Sequence, residues 1–317
     1  MAENAAVPAC SPRGRPPAWR ESTRPGLGTF VTIGLELPGG GPSASGDDPS
    51  VAAADALLGG AFKVIERVQA LMSFHSGGSD LARLNAAAAG EVIRVDPETF
   101  AVLQFAATVS RASAGVFDVT VAPALVAAGR LPVPPGAPPD PLARWSDLEL
   151  DPPDGIRLRR RLWADLGGIA KGHAVDLAAA FLQRAGVAAF RINAGGDLRV
   201  GAQLERVTLD VPGLAASLRP GMTHPDVSHP AIELREGSLA SSAVDPVPGV
   251  HLDGRDHRVP PAGRFVSVVA PRCAVADALT KVVLAQGTAA APILAGFGAT
   301  AYLYAPGAGW QVIGGGR

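Results

Sequence analysis

The sequence predicts a mixed α+β fold in which antiparallel sheets are flanked by helices. Three observations support this prediction: β-branched segments of strand length, apolar residues at helical spacing, and two strand patterns joined by a Pro-Asp-Gly turn. The chain has 317 residues, of which 47% are hydrophobic, so it can bury a substantial core. Its 38 glycines and 29 prolines indicate long loops between the ordered elements.

Strand and helix patterns alternate along the first half of the chain. Residues 27–37, LGTFVTIGLEL, are rich in β-branched residues and predict the first strand. The segment around residues 56–73 predicts a helix with one buried face, because its apolar residues recur every three or four positions. Residues 99–113 predict a second helix, and residues 147–160 predict a hairpin around the Pro-Asp-Gly turn.

The second half repeats this alternation. Residues 174–186 predict a helix that ends at Gly186, and residues 274–287 predict another that ends at Gly287. Strand patterns occupy residues 188–202, 264–270, 300–306 and 310–314. We expect a ligand cleft between an N-terminal lobe and the larger remainder of the chain.

Charge and cysteine content exclude several classes of protein. The formal net charge is -1, with 28 basic and 29 acidic residues, which does not favour nucleic-acid binding or an anionic membrane surface. Cys10 and Cys273 are too few for a disulfide framework or a cysteine metal site. We see no transmembrane or secretory run and expect a cytoplasmic protein without a membrane anchor. We expect residues 1–26 to be a disordered leader and residues 27–317 to form the domain; the sequence does not indicate an oligomeric state.

Two double-glycine loops are the strongest candidates for a binding site. Residues 165–176 read DLGGIAKGHAVD, in which adjacent glycines allow close backbone approach and a nearby lysine suggests an anionic ligand. Gly195 and Gly196 form the second pair. Neither loop has the spacing of a dinucleotide fingerprint or a Walker loop, so another mode of nucleotide binding is needed. A purely structural turn is the alternative interpretation of each pair.

Six motifs occur in the order found in one known family. They are MSFHSGGSDLARLN at 72–85, FDVTVAP at 117–123, DLGGIAKGHAVD at 165–176, NAGGDL at 193–198, GSLASSA at 237–243 and ADALTKVVLAQG at 276–287. In these motifs the chain resembles the ApbE family of FAD:protein FMN transferases. The resemblance implies an ApbE-like, two-lobed fold with an FAD cleft. It also implies magnesium-dependent transfer of FMN from FAD to a threonine or serine hydroxyl of a target flavoprotein, with release of AMP.

The resemblance assigns roles to individual positions. It implies a magnesium site with Asp277 as carboxylate ligand, the backbone at Gly168 beside the same cation, and Thr280 as a further ligand. Hard cations prefer such oxygen ligands, and pyrophosphate cleavage needs a cation or a fixed positive charge on the phosphoryl oxygens. The implied FAD contacts are His75, Phe117, Asp118, Asp165, Lys171, Gly195 and Gly196.

Each of these residues also has a structural interpretation. Asp277 near a helix start would favour the helix dipole, and Asp165 would cap its own turn. Lys171 would be a solvated lysine at the start of a helix. His75 would be a surface histidine, and Phe117 would belong to the core.

Two departures from the family pattern leave alternatives open. The family usually places a threonine four residues after the metal aspartate, where this chain has Lys281. A protonated lysine cannot bind a metal, but it could contact the FAD pyrophosphate as a fixed cation, or Thr280 could take over as ligand. The resemblance implies His251 as the general base, but the segment GVHLDGRDHRVPPAG is shorter than its family counterpart, which makes His257 a rival candidate. These departures also motivate an alternative, a relative that binds FAD without transferring FMN.

Overall fold

An eight-stranded antiparallel sheet dominates the fold. We analysed a computed structural model that describes residues 19–37, 49–211, 230–244 and 251–315. Its strands are β1 (Trp19–Gly26), β2 (Thr29–Glu36), β6 (Phe190–Ala194), β7 (Asp197–Val200), β10 (Ser238–Ala243), β11 (Phe265–Ala270), β12 (Thr300–Ala305) and β13 (Gly309–Gly314). Their order in the sheet is β1-β2-β6-β7-β10-β11-β12-β13, and every neighbouring pair is antiparallel. This arrangement confirms the predicted antiparallel α+β class.

Two smaller antiparallel sheets complete the described strands. One has the order β3-β5-β4, with β3 at Val92–Arg94, β4 at Leu148–Asp151 and β5 at Gly155–Leu158. The pair β4 and β5 confirms the hairpin predicted around the Pro-Asp-Gly turn. The other sheet pairs β8 (Glu205–Thr208) with β9 (Ala231–Leu234).

Helices pack against these sheets. They are α1 (Pro49–Met72), α2 (Asp80–Ala86), α3 (Pro97–Ala112), α4 (Ala122–Ala127), α5 (Ala170–Arg184), α6 (Cys273–Gln286) and α7 (Ala291–Gly296). The predicted apolar face of α1 is buried, from Leu58 to Met72. One large hydrophobic cluster runs from Val31 in β2 to Ile313 in β13, so both ends of the domain share a core.

Helix α6 is buried on most of its circumference. Of its 14 residues, 11 are buried, and the helix contacts α5, β10 and β11. The run Cys273–Gly296 is long and apolar enough to cross a membrane by length and composition, and half of its most apolar window is buried inside the structure. A helix that is apolar all round is expected where it packs in a core, which explains this composition.

Strand β1 corrects one sequence prediction. Trp19–Gly26 lies within the segment predicted to be a disordered leader, yet it pairs with β2 along its whole length. Its residues are mostly polar and exposed, so they lack the apolar alternation that marks a half-buried strand. An ion pair of 2.7 Å between Arg20 and Asp55 of α1 also holds it. The leader prediction is therefore wrong for Trp19–Gly26, and residues 1–18 lie outside the described residues.

Candidate functional site

A cavity of about 950 Å³ lies where the helix ends and loops meet the large sheet. This volume is near the upper end of the range typical of small-molecule sites. Three parts of the chain line it. They are the N-terminal part (Leu27, Gly28, Val68, Gln69, Met72, Ser73, Phe74, His75), the middle (Val116, Phe117, Asp118, Val119, Val121, Leu125, Arg130, Leu131, Asp165, Gly167, Gly168, Ala170, Lys171) and the C-terminal part (Ser241, Ser242, Ala243, His251, Leu252, Lys281). Eight residues singled out from the sequence line it: His75, Phe117, Asp118, Asp165, Gly168, Lys171, His251 and Lys281.

Asp277 lies directly behind the cavity wall, on α6. Its carboxylate is 1% exposed. Oδ1 accepts a hydrogen bond from Nζ of Lys281, one helical turn later, and Oδ2 accepts one from the backbone N of Gly172 at 3.2 Å. Burial raises the pKa of Asp277, but the charges of Lys171 and Lys281 outweigh burial and hold the pKa below its ordinary value. Asp277 is therefore an ionised carboxylate whose two oxygens are both engaged.

A second ion pair adjoins the first. Lys171 Nζ lies 2.5 Å from Oδ2 of Asp197, which is 1% exposed. Burial lowers the pKa of Lys171, but the charges of Asp277 and Asp197 raise it more. Burial and the charge of Asp277 raise the pKa of Asp197 to about 7. Both lysines thus present positive charge at the cavity wall.

The described residues do not fit a resident magnesium ion at Asp277. The ammonium of Lys281 already holds Oδ1 of Asp277, and a protonated lysine cannot be a ligand. Thr280 donates its hydroxyl hydrogen to the backbone oxygen of Asp277 at 2.7 Å, so the hydroxyl is turned to its own helix. Within the described ranges, no group of three His, Cys, Asp or Glu side chains could hold a metal ion.

Gly168 lines the cavity beside Lys281 and Phe117. A Cβ added to Gly168 would lie 3.3 Å from Cε of Lys281 and 3.5 Å from Cε2 of Phe117. A side chain at this position would therefore crowd the lysine stem and the phenyl ring, so the backbone of Gly168 packs close to both. This supports the close-approach interpretation of the first double glycine.

The loop that carries Phe117 is fixed by Asp118. Oδ1 of Asp118 accepts hydrogen bonds from the backbone N and the hydroxyl of Thr120, at 2.7 and 2.6 Å. Its other oxygen accepts a long bond of 3.4 Å from the backbone N of Trp145. Burial raises its pKa despite these bonds. Asp118 thus shapes the cavity wall through the backbone, and its predicted FAD contact stays a prediction.

Asp165 and His75 also line the cavity. Burial raises the pKa of Asp165, and hydrogen bonds from the backbone of Gly167 and Leu166 oppose that shift. Asp165 therefore caps its own turn, as its structural interpretation expected, and also lines the cavity. His75 is exposed and contacts Phe74 edge to face, with ring centroids 6.4 Å apart.

The second double glycine is a hairpin turn. Gly195 and Gly196 join β6 to β7 with φ of +60° and +99°, which a two-residue turn of this kind requires. A Cβ on Gly195 would lie 2.7 Å from the hydroxyl of Thr29. The pair is absent from the described cavity lining, although a Cβ on Gly196 would approach Ser241, which lines it. The structural interpretation explains both glycines, and their FAD contact stays a prediction.

Of the two candidate general bases, only His251 lines the cavity. His257 is exposed, with a positive φ of 59°, and is not among the described lining residues. Burial lowers the pKa of His251 to about 4, and the charge of Lys281 adds to this effect. The imidazole is therefore neutral at pH 7, the form that accepts a proton.

The pKa of His251 predicts a pH dependence of stability. The unfolded chain protonates His251 near its ordinary pKa of 6.5, and the folded protein only near 4. Because the unfolded state binds more protons in between, the contribution of His251 to the free energy of unfolding is full above pH 6.5. It is lost as the pH falls towards 4, by up to about 3 kcal/mol. We therefore expect the free energy of unfolding of His251→Gln to increase relative to that of the unchanged protein as the pH falls from 6.5 towards 4.

Urea unfolding of both proteins at several pH values checks this difference. The two proteins must be compared because Asp197 also titrates in this range. Its raised pKa makes the stability fall as the pH rises, which is opposite to the effect of His251. Its contribution is present below its ordinary pKa of 3.8 and is lost as the pH rises through about 7. Subtracting the free energies of unfolding of the two proteins removes the contribution of Asp197. Parallel stability curves for His251→Gln and the unchanged protein would contradict the prediction.

Ser241 and Ser242 line the cavity but were not singled out as site residues. Ser242 Oγ lies 2.9 Å from the hydroxyl of Thr280 and 3.4 Å from Nζ of Lys281. Ser241 Oγ lies 2.7 Å from the hydroxyl of Ser267. The signal was present in the motif GSLASSA, where adjacent serines end a strand.

Comparisons with known proteins agree with this fold. A curated FAD:protein FMN transferase of Vibrio cholerae is 29% identical over 166 residues, which span 48% of each chain, so the match covers about half of that relative. The structure of Pseudomonas stutzeri flavinyl transferase ApbE is similar with a TM-score of 0.75 and 20% identity, covering 95% of this chain and 98% of that one. The flavin transferase ApbE from Vibrio cholerae has a TM-score of 0.70 and 19% identity, covering 94% and 97%. A sequence model of the ApbE family matches residues 27–303, more than half of the chain, and the chain therefore belongs to the ApbE family.

Proposed function

We propose that this protein transfers FMN from FAD to a threonine or serine hydroxyl of a target flavoprotein and releases AMP. The observation that carries the proposal is the cavity of about 950 Å³, which combines an apolar wall with two lysines. The similarity to the Vibrio cholerae FAD:protein FMN transferase and to the Pseudomonas stutzeri flavinyl transferase ApbE supports the reaction class.

The cavity suits the two chemically different parts of FAD. Phe117, Val116 and Leu125 provide apolar surface for the flavin ring. Lys171 and Lys281 provide positive charge for the pyrophosphate. An extended ligand that is apolar at one end and anionic in the middle therefore fits this lining.

The proposed step is one phosphoryl transfer. The acceptor hydroxyl oxygen bonds to the phosphorus on the FMN side of the pyrophosphate, and the bond from that phosphorus to the bridging oxygen breaks. AMP leaves with the bridging oxygen, and the hydroxyl proton passes to the neutral imidazole of His251. The lysines stabilise the negative charge that develops on the phosphoryl oxygens.

Magnesium dependence, expected from the family resemblance, stays a prediction. The proposed step uses no protein-bound ion, because Asp277 and Thr280 are engaged with Lys281 and the α6 backbone. The same engagement favours a second candidate function, in which the protein binds FAD without transferring FMN.

Intact-mass spectrometry of an acceptor flavoprotein tests the proposal. The acceptor domain, with a threonine at its modification site, is incubated with this protein and FAD, once with magnesium and once with EDTA. We expect a mass gain of one FMN that needs this protein and disappears when the acceptor threonine is changed to valine. FAD binding without any mass gain, across several acceptors, would replace the proposal with the binding function.

A further inference from the structure

We infer that the ammonium of Lys281 is the fixed cation that binds the FAD pyrophosphate, at the place beside Asp277 where the family resemblance implies magnesium. The inference rests on the proposed function, because it takes FAD as the ligand. It adds that the site binds the pyrophosphate of a dinucleotide without a divalent metal ion.

The first argument is the position of the ammonium. Nζ of Lys281 is hydrogen-bonded to Oδ1 of Asp277 and lies 3.1 Å from the backbone oxygen of Asp277. Its third contact, to the hydroxyl of Ser242, is long at 3.4 Å. An ammonium has three donors, so two are held by Asp277 and the third is weakly engaged. The side chain is 15% exposed and lines the cavity, which leaves this donor available to a phosphate oxygen.

The second argument is that other positive groups converge on the same wall. Lys171 lines the cavity from the first turn of α5, and the N-terminus of that helix carries partial positive charge. Gly168 and Ala170 place the start of α5 on the cavity lining. Gly168 packs close to Cε of Lys281, since a Cβ there would lie only 3.3 Å from that atom, so the lysine and the start of α5 share one part of the cavity wall.

The third argument is competition for Asp277. A divalent ion on Oδ1 would need the position that the ammonium occupies, because both are attracted to the same carboxylate oxygen. The other oxygen of Asp277 faces Gly172, whose backbone N donates to it from α5. A metal ion bound by Asp277 would therefore have to displace Lys281 and repel it as a like charge.

FAD binding and FMN transfer are measured in EDTA and across a magnesium titration, for the unchanged protein, three variants of Lys281 and one control variant. The Lys281 variants are Lys281→Met, which keeps the length of the side chain without its charge, Lys281→Arg, which keeps the charge, and Lys281→Thr, which restores the usual family residue. Lys63→Met is the matched control, because Lys63 is exposed on α1 away from the described cavity lining. Thermal unfolding of each protein verifies that it is folded.

We expect the unchanged protein and Lys63→Met to bind FAD equally in EDTA and in magnesium. Lys281→Met should bind FAD about 10- to 100-fold more weakly, the effect of one charged hydrogen bond, and Lys281→Arg should retain most of the affinity. Lys281→Thr should lose FAD affinity in EDTA and recover it with magnesium.

Two results would overturn the inference. One is FAD binding by the unchanged protein that is lost in EDTA and restored by magnesium. The other is undiminished FAD affinity in Lys281→Met. The proposed function fails separately, if the unchanged protein binds FAD in either condition but never modifies an acceptor; the binding measurements then still decide the role of Lys281.

Discussion

Replacing Asp277 with asparagine is expected to slow FMN transfer by about 100-fold or more while FAD binding survives. Asp277 fixes Lys281 through Oδ1 and its backbone oxygen, and its second carboxylate oxygen accepts from Gly172. An amide of the same shape keeps the packing but removes the charge that orients the ammonium. A loss of this size is typical when one preorganised group for a developing negative charge is removed.

The measurement separates binding from transfer. Single-turnover FMN transfer is followed at saturating FAD, and FAD affinity is measured independently. We expect the affinity to hold or increase, because one negative charge beside the pyrophosphate is gone, and the transfer rate to fall. Asp55→Asn is the control, since the Asp55 ion pair with Arg20 is on the surface and should matter little. An unchanged transfer rate would remove Asp277 from the reaction, and a rate loss fully explained by weaker FAD binding would refute the positioning role.

Most of the fold could be predicted from local patterns. The apolar face of α1, the hairpin of β4 and β5 and the buried helix α6 each carry their own periodicity or turn signal. Strand β1 could not be predicted this way, because its residues are polar and it is ordered by pairing with β2. Its order depends on a partner strand rather than on its own sequence.

The sequence predicted which residues line the cavity better than it predicted how their side chains pair. The ordered motifs identified seven lining residues and the histidine segment identified His251, since a family resemblance preserves which segments meet. The pairing of Lys281 with Asp277 had a local signal, because positions four apart on a helix face each other. The pairing of Lys171 with Asp197 had none, since it joins a helix to a strand end 26 residues away.

The sequence around the two double glycines was also sufficient to distinguish their roles. The second lies between two strand patterns, and a two-residue Gly-Gly connection there is a hairpin signal. The first precedes a helix and lines the cavity, where Gly168 packs close to Lys281 and Phe117. Flanking structure therefore distinguishes a turn from a ligand wall when the dipeptide itself does not.

The second large expected effect is on stability: Gly172→Ala should lower the free energy of unfolding by about 2 kcal/mol or more. A Cβ on Gly172 would lie 2.5 Å from the backbone oxygen of Cys273 and 2.8 Å from Cα of Ala274. These are backbone atoms, and the carboxylate of Asp176 binds the backbone N of both residues at 2.8 and 3.0 Å. Helix α6 therefore cannot move away from α5 without breaking the bonds to Asp176.

Urea unfolding of Gly172→Ala, with Gly59→Ala as its matched control, tests this close approach. Gly59 lies within α1, and a Cβ there would meet nothing within 4 Å. The same substitution at Gly59 should stabilise the protein by up to about 1 kcal/mol, because alanine favours a helix over glycine. Opposite signs at the two positions would isolate the contact between α5 and α6 from helix propensity. Equal effects would show that the helices adjust, and the bond from Gly172 to Asp277 would then not depend on a glycine.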